Sequence, residues 1–480
     1  MKARRAIVGA LAVAFALSSC ITGESTELVI DEASVAETVE SEPLAEPEPP
    51  RERPQWEQST SIAEFSRCKL LDPRPDSIKA LFRGQKRGDA VGRDNVGFPR
   101  TERDLPGLGE VNIIVAKVAF NDAPPSNKIT NETLEEQLRL MSEWSEFWSQ
   151  GKMTYSFQFV DEWVQVPVDH ADYVVDPGVG DNEYDQEEFQ RQVQERLEEI
   201  AQLTVSEFPS GLDWGSADAV FVYWSPEITE FKQSVGVRSK LLSTPAGDMR
   251  VTLSGGGIYH YSDAGNISLS TKQEFMWTWW IHEFLHFQGM NGHAPGEGWP
   301  TGVGQGAYPA NNEYSGALSA WETFLFEWLD DSQVHCSDKE SLVDTERVIL
   351  TPLEIFGGER KMIAIRADDY KVIVVESRRP VGWSKWWPGD REGLFVYEVD
   401  ADGVHTDHIP DDCGNDPKNP KWAYYLYPDS VEDTSCRPND LDRILVKEGM
   451  SVTHSGIRIT LEYSDDDSDY VTVEKISDER

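Results

Sequence analysis

The chain has little cysteine, little positive charge and, beyond its first residues, no apolar stretch of membrane-spanning length. Five of 480 residues are Cys and none stands in a Cys-x-x-Cys spacing, which argues against a four-thiolate zinc module. Lys and Arg number 44 against 85 Asp and Glu, a net charge of −41. Such a surface repels phosphate backbones, so nucleic acid is not an expected partner. It repels an anionic bilayer for the same reason, so membrane attachment would need a device other than charge. No internal repeat and no EF-hand spacing is present. What remains is a globular composition, 39% hydrophobic and 27% charged, with sixteen Trp to pack.

The N-terminus reads as an address. Met1-Lys2-Ala3-Arg4-Arg5 is basic, and the apolar run Ala6 to Leu17 has the length of a signal-peptide core. It ends in Leu17-Ser18-Ser19-Cys20, which resembles a bacterial lipobox and implies cleavage before Cys20 and acylation of that thiol. Residues 1–19 are thus expected to be a lipoprotein signal peptide, and the body to be extracytoplasmic and lipid-anchored to a bacterial membrane. Residues 20–58, rich in Glu, Pro, Ser and Ala, read as a disordered tether. The remaining apolar-rich stretch, Trp277 to Leu285, is interrupted by His282 and Glu283.

With Cys20 set aside, Cys68, Cys336, Cys413 and Cys436 remain, an even number in an exported chain. Two disulfides allow three connectivities. Cys413–Cys436 is the easiest to close, and it would staple an Asp-, Asn- and Pro-rich loop; Cys68–Cys336 is then left.

Pattern divides the body in two. Val111 to Phe120 is an apolar, β-branched run and predicts a buried strand. Thr133 to Trp148 has Leu134, Leu138, Met141, Trp144 and Phe147 on one helical stripe, with Gly151 as its stop. Tyr155 to Val166 alternates as a strand, Gln186 to Phe208 predicts a helix, and Ala219 to Trp224 a second buried strand. Helices are expected over Thr271 to Phe287, with Ser270 or Thr271 as N-cap and Gly289 as stop, and over Ser315 to Leu329. After Cys336 short strands follow one another: Val348–Leu350, Met362–Ile365, Lys371–Glu376, Leu394–Val399, Ile444–Val446, Ile457–Tyr463 and Tyr470–Val473. The expectation is an α/β (α+β) first domain, 59–335, followed by an all-β, β-sandwich domain, 336–480. Within the first, 59–108 is either a removable pro-segment or an integral cap.

The chemistry is concentrated in His282-Glu283-Phe284-Leu285-His286. On a helix, positions i and i+4 share a face, so two imidazoles can converge on one ion. Zn²⁺ suits imidazole ligands, and a carboxylate beside the first His can serve a zinc-activated water as general base. Three of the nine His, His282, His286 and His293, fall in one short stretch. Gly289 lets the chain turn, which makes His293 the expected third ligand, with a carboxylate such as Glu297, Glu313 or Glu322 as the alternative.

His-Glu-x-x-His-x-x-Gly resembles the metzincin-like zinc peptidases, and more closely the immune inhibitor A family of secreted bacterial metallopeptidases. The likeness extends to the Asn112–Phe120 strand followed by Asp122, to Phe147-Trp148-Ser149-Gln150-Gly151-Lys152-Met153 leading to Trp163-Val164, and to Leu318–Phe324 followed by Glu327-Trp328-Leu329-Asp330. Val374-Val375-Glu376-Ser377-Arg378-Arg379 and Gly393–Tyr397 resemble strands of its following β domain. The chain departs from the family at Gly292, where an Asp is common. It also has no Met between Met290 and Met362 to floor the metal. The resemblance implies a zincin-like fold and a zinc metalloendopeptidase acting on proteins or peptides, with Glu283 as base; a monomer is expected. The rival expectation is a zincin-like surface lipoprotein that binds or adheres without turnover.

Other residues carry weaker expectations. Tyr308 and Tyr314 are candidate oxyanion donors, or ordinary core and rim tyrosines. His260 and His335 read as structural or exposed. Asp465-Asp466-Asp467 with Asp469, and Asp181, Glu183 and Asp185, would be Ca²⁺ candidates or solvated turns. Trp383, Trp386 and Trp387 read as an exposed aromatic patch or as core.

Overall fold

A computed structural model describes residues 52–61, 63–72, 97–100, 104–127, 130–174, 183–225, 228, 235–256, 276–289, 318–384, 392–402, 423–434 and 441–476. Within them Arg53–Arg480 is one unit. The structure is mixed, with sheets dominating and a β-rich C-terminal region. Among the described residues no helix is long and apolar enough to cross a membrane.

The first sheet is built from β1 (Gly109–Ala119), β2 (Met153–Phe159), β3 (Val164–Gln165), β4 (Ala219–Trp224), β5 (Val235–Thr244) and β6 (Gly247–Gly256). Its order is β2-β1-β4-β6-β5, with β3 also on β1. The pairs β1–β2, β1–β3, β1–β4 and β4–β6 are parallel, and β5 returns antiparallel on β6. Every residue of β4 is buried, as expected of a parallel strand covered on both faces. The expected strand over Tyr155 to Val166 is in fact two, broken between Phe159 and Val164.

Two helices flank this sheet. Helix α1 (Asn131–Trp148) starts at Thr130, whose side chain accepts from the Thr133 N–H at 3.3 Å. It ends where Gln150 and Gly151 take φ of 56° and 78°. Leu134, Leu138, Met141 and Trp144 are buried on its inner stripe. Helix α2 (Glu183–Ser206) reaches β5 through Gln202, whose amide both accepts from the Ser243 N–H and donates to the Ser243 carbonyl, each at 2.9 Å. Gln202 thereby supplies backbone-like partners to the edge strand, which blunts that part of the edge.

The C-terminal region holds two further sheets. One contains β7 (Val334–Asp338), β9 (Met362–Arg366), β10 (Lys371–Arg378), β11 (Gly393–Asp400), β12 (Ala423–Tyr425) and β13 (Leu445–Val446). The other contains β8 (Glu346–Leu350), β14 (Ser451–His454), β15 (Ile457–Ser464) and β16 (Asp469–Lys475) in the order β14-β15-β16-β8. Ile363, Ile373, Val375 and Val396 of the first share one apolar cluster with Val348, Ile459, Leu461 and Val471 of the second. The opposite face of the first, with Ala364, Val374, Phe395 and Tyr397, shares a cluster with Trp144, Phe284 and Trp321. The six-stranded sheet is thus buried on both sides. The residue 335/336 position falls inside β7.

Helix α3 (Met276–Gln288) carries the motif, and α4 (Ala320–Leu325) follows it. Residues 270–275 lie outside the described residues, so the expected N-cap is not seen. The helix expected over Ser315 to Leu329 is corrected to α4. Ser319 caps it in a reciprocal box with Glu322, and Glu327 at φ 61° lies beyond its end.

The disulfide Cys68–Cys336 is present, spanning 268 residues of sequence. Cys413 and Cys436 lie outside the described residues. The described parts of 59–108 are built into the interior: Cys68, Leu70, Phe98 and Leu105 are all buried. Ser59 N–H donates to the Arg347 carbonyl at 2.8 Å, and Trp328 Nε1–H to the Gly107 carbonyl at 2.8 Å.

Candidate functional site

Helix α3 is apolar enough to be interior and is gripped at both ends. Trp277, Trp280, Ile281, Phe284, Leu285, Phe287 and Gln288 are buried. Each apolar side chain of this size withdrawn from water contributes about 1.5–3 kcal/mol. Phe221 of β4 meets Trp280 at 4.7 Å and Phe284 at 6.3 Å between ring centroids, and Tyr155 of β2 meets Phe284 edge-on at 5.8 Å. The helix therefore lies on the first sheet through one face.

At about 100° per residue, those buried positions fill an arc of about 160°. Helical spacing puts positions 282, 283 and 286 within about 100° of one another. The side chains of His282, Glu283 and His286 are outside the description, as is the whole of His293.

The two ends of α3 are fixed by buried amides. Near its start, the Trp277 N–H donates to Gln137 Oε1 of α1 at 3.1 Å, satisfying one of the donors a helix leaves unpaired there. At its end, Gln288 Oε1 accepts from the Tyr155 hydroxyl at 2.9 Å and Gln288 Nε2 donates to the Pro106 carbonyl at 2.9 Å. Burial pushes the Tyr155 phenol above its ordinary range, so it stays protonated as that donor. The Phe287 carbonyl accepts from the N–H groups of Asp104 and Leu105 at 2.8 and 3.0 Å, and the Gln288 carbonyl from Arg100. Gly289 then turns the chain at φ 99°. Sequence reading did not find Gln137, Gln288 or Arg100. Gln288 had a faint signal, a polar residue closing an apolar helix; the other two had none.

The remaining candidates are dispersed. Glu322 is 2% exposed, and its Oε2 accepts from the Ser319 N–H and hydroxyl, at 3.1 and 2.9 Å. Burial pushes its carboxyl up to about 7. His335 is fully buried; Arg360 donates to its Nδ1 at 2.9 Å, which places the proton on Nε2 facing Glu346 at 2.8 Å. That is a structural histidine. Asp469 is occupied by Arg379, at 2.6 and 3.2 Å, and Asp465 pairs with Arg53 at 2.7 Å. Asp122 accepts from the backbone N–H groups of His170 and Ala171 at 2.8 and 3.2 Å, tying the loop after β1 to the chain after β3. Trp383 stacks edge-on against Trp277 at 5.2 Å, so it supports α3. Glu183 and Asp185 open α2, with side chains outside the description. Asp181, His260, Glu297, Tyr308, Glu313, Tyr314, Trp386 and Trp387 lie outside the described residues, as does Cys20. Among the described residues no group of three or more His, Cys, Asp or Glu is arranged to hold a metal ion.

No protein-family model matches the chain, and no curated protein matches it in sequence.

Proposed function

We propose that the protein is an extracytoplasmic zinc metalloendopeptidase of zincin-like fold, related to the immune inhibitor A family and anchored through a lipidated Cys20. The observation that carries this reading is the position of His-Glu-x-x-His on α3. The motif falls on a helix packed on the first sheet, helical spacing puts its three positions within about 100° of one another, and a glycine turn follows at Gly289. The parallel sheet beneath α3, with β5 as its antiparallel edge, provides a rigid floor for such a site.

The donor chemistry fits zinc. Two imidazoles one turn apart, His282 and His286, would hold it with His293 as the third ligand. Bound zinc supplies a Lewis acid that makes water acidic near neutral pH. Glu283 is the general base: its carboxylate takes the proton of the attacking water and delivers it to the departing amine nitrogen. Substrates are proteins or peptides. The N-terminal address and the Pro- and Glu-rich tether support a lipid-anchored protein held off a bacterial membrane.

The test uses the soluble body from residue 53, expressed in an oxidising compartment. Bound zinc and cleavage of unfolded casein are measured for wild type and Glu283→Ala. Zinc near one per chain with cleavage lost in the variant is the expected result. Zinc bound with no cleavage by either protein would favour the binding or adhesion module, and no zinc at all would overturn the reading.

A further inference from the structure

Three carboxyl groups are buried where α4 meets the C-terminal sheets: Glu322 of α4, Glu354 between β8 and β9, and Glu376 of β10. None is more than 4% exposed. Arg378 of β10 stands 3.4 Å from Glu354 Oε1 and from Glu376 Oε1. The next cation, Arg379, is held by Asp469 of β16 at 2.6 and 3.2 Å. Lys361, between β8 and β9, donates to the Pro352 and Ile355 carbonyls, and burial pushes its ammonium down to about 7. Fully ionised, three carboxylates would share one guanidinium. An interior does not hold such an excess of charge; the group takes a proton instead.

The hydrogen bonds show which carboxyls carry the protons. Glu354 uses both oxygens: Oε1 accepts from the Ser384 hydroxyl at 3.0 Å and Oε2 from the Arg379 N–H at 3.1 Å. It is the carboxylate that faces Arg378. Glu322 and Glu376 each use one. Glu322 Oε2 accepts from the Ser319 N–H and hydroxyl at 3.1 and 2.9 Å. Glu376 Oε2 accepts from the Ala320 N–H at 2.6 Å and the Tyr397 hydroxyl at 2.9 Å. Among the described residues, Oε1 of both takes no hydrogen bond. That is the division of a carboxylic acid, one accepting carbonyl and one hydroxyl. Burial pushes both carboxyls up to about 7, in line with the geometry. Tyr397 of β11, which burial keeps protonated, also accepts from the Trp321 N–H at 3.1 Å. The first two amides of α4 therefore end on this network.

We propose that Glu322 and Glu376 each bind a proton and that these protons lock the start of α4 onto β10 and β11, an acid-tightened joint that slackens towards neutral pH. When the joint opens, both carboxyls meet water and return to their ordinary value of 4.5. Between 4.5 and about 7 the closed joint binds more protons than the open one, so opening becomes easier as pH rises through that interval and is level above it. The proposal is independent of the zinc reading.

The experiment uses the body from residue 53, with the disulfide intact, as wild type, Glu376→Gln and the double variant Glu322→Gln/Glu376→Gln. Infrared difference spectra at pH 6 should show a protonated-carboxyl C=O band in wild type that weakens in the single variant, is lost in the double and fades in wild type by pH 8. Hydrogen exchange at Ala320 and Trp321, corrected for intrinsic rates, reads the joint from pH 5 to 8. Protection in wild type should fall by up to about 100-fold per pH unit between 5 and 7, about tenfold for each proton released. The single variant should show about tenfold and the double no dependence. Both amides should be less protected than those of β15 and β16 at every pH. If the double variant does not fold, the single variant and the wild-type band decide. No such band in wild type, or protection that is level from pH 5 to 7, would overturn the proposal. Protection equal to that of β15 and β16 would overturn the joint, since α4 would then leave only with global unfolding.

Discussion

Replacing Glu376 by glutamine should stabilise the protein at alkaline pH and leave it nearly unchanged at pH 5. Glu322, Glu354 and Glu376 are all buried at the seam between α4 and β10. They share one fully buried guanidinium, Arg378, at 3.4 Å from Glu354 Oε1 and from Glu376 Oε1. The neighbouring Arg379 is taken by Asp469, and Lys361 donates to the Pro352 and Ile355 carbonyls. Glu376 Oε2 accepts from the Ala320 N–H at 2.6 Å and the Tyr397 hydroxyl at 2.9 Å. Burial outweighs these donors and Arg378 together and pushes the carboxyl up to about 7 from 4.5. Between those values the folded state binds more protons than the unfolded one. Stability therefore falls as pH rises from 4.5 to 7 and is level above. At about 1.4 kcal/mol per pH unit, that interval amounts to about 3 kcal/mol. Glutamine cannot ionise, and its amide oxygen can still accept from Ala320 and Tyr397. The variant should be about 2–3 kcal/mol more stable than wild type at pH 8. Glu322, which burial also pushes to about 7, keeps its own share, so the pH slope is reduced without vanishing. The assay is urea unfolding followed by tryptophan fluorescence at pH 5, 6, 7 and 8. Parallel pH profiles, or a less stable variant at pH 8, would show that Glu376 is ionised and that its pairing with Arg378 is net stabilising.

Three further perturbations test the frame around the site. Arg379→Met strands the fully buried Asp469 and should cost about 3–5 kcal/mol in urea unfolding, most of it recovered when Asp469→Leu is added. A loss below about 1 kcal/mol for the single variant would mean that Asp469 finds another partner. Replacing Cys68 and Cys336 by serine frees a loop closed over 268 residues, and chain entropy puts the loss near 5 kcal/mol. An unchanged melting temperature would show that packing alone holds the segment around Cys68. Gly393→Ala places a Cβ 2.5 Å from the Val446 carbonyl oxygen, at a φ of 138° that side chains avoid. It should cost about 1–3 kcal/mol and expose the Leu445 and Val446 amides, which pair with β11, to faster hydrogen exchange.

What the sequence made legible follows from what each element packs against. Strands β1 and β4 lie inside a parallel sheet, so their unbroken apolar runs were visible. The motif helix was visible because its spacing is local. The β5–β6 hairpin escaped notice for two reasons. It lies at the edge of the sheet, where polar residues are tolerated, and a register shift between Val237 and Lys240 breaks the alternation that would have marked it. Helix α4 was overextended because Phe326, Trp328 and Leu329 continue its apolar run. They are buried in a turn, and Glu327 at positive φ has already ended the helix. The Ser-x-x-Glu box at Ser319 and Glu322 was the readable signal for its true start. The contacts of Arg100 with Gln288, Phe326 and Gly107 left no local trace, since these partners lie 7 to 226 residues away.

The run Val372 to Arg379 shows where pattern reading stops. Val372 and Val374 face the cluster that includes Trp321 and Phe284, while Ile373 and Val375 face the second C-terminal sheet. Four consecutive apolar residues are what a strand covered on both faces requires. The four polar residues that follow, Glu376, Ser377, Arg378 and Arg379, would ordinarily mark a strand leaving the core, yet all four are buried. Each ionisable group among them meets a partner from another element: Glu376 the Ala320 N–H of α4, Arg378 the Leu318 carbonyl and Glu354, Arg379 the Asp469 carboxylate. Those partners lie 24 to 90 residues away and no local pattern can reveal them. The pairing makes β10 the element that orients the start of α4, whose far end Arg100 joins to the motif helix. The C-terminal sheets and the helix that carries the motif are thus joined through α4.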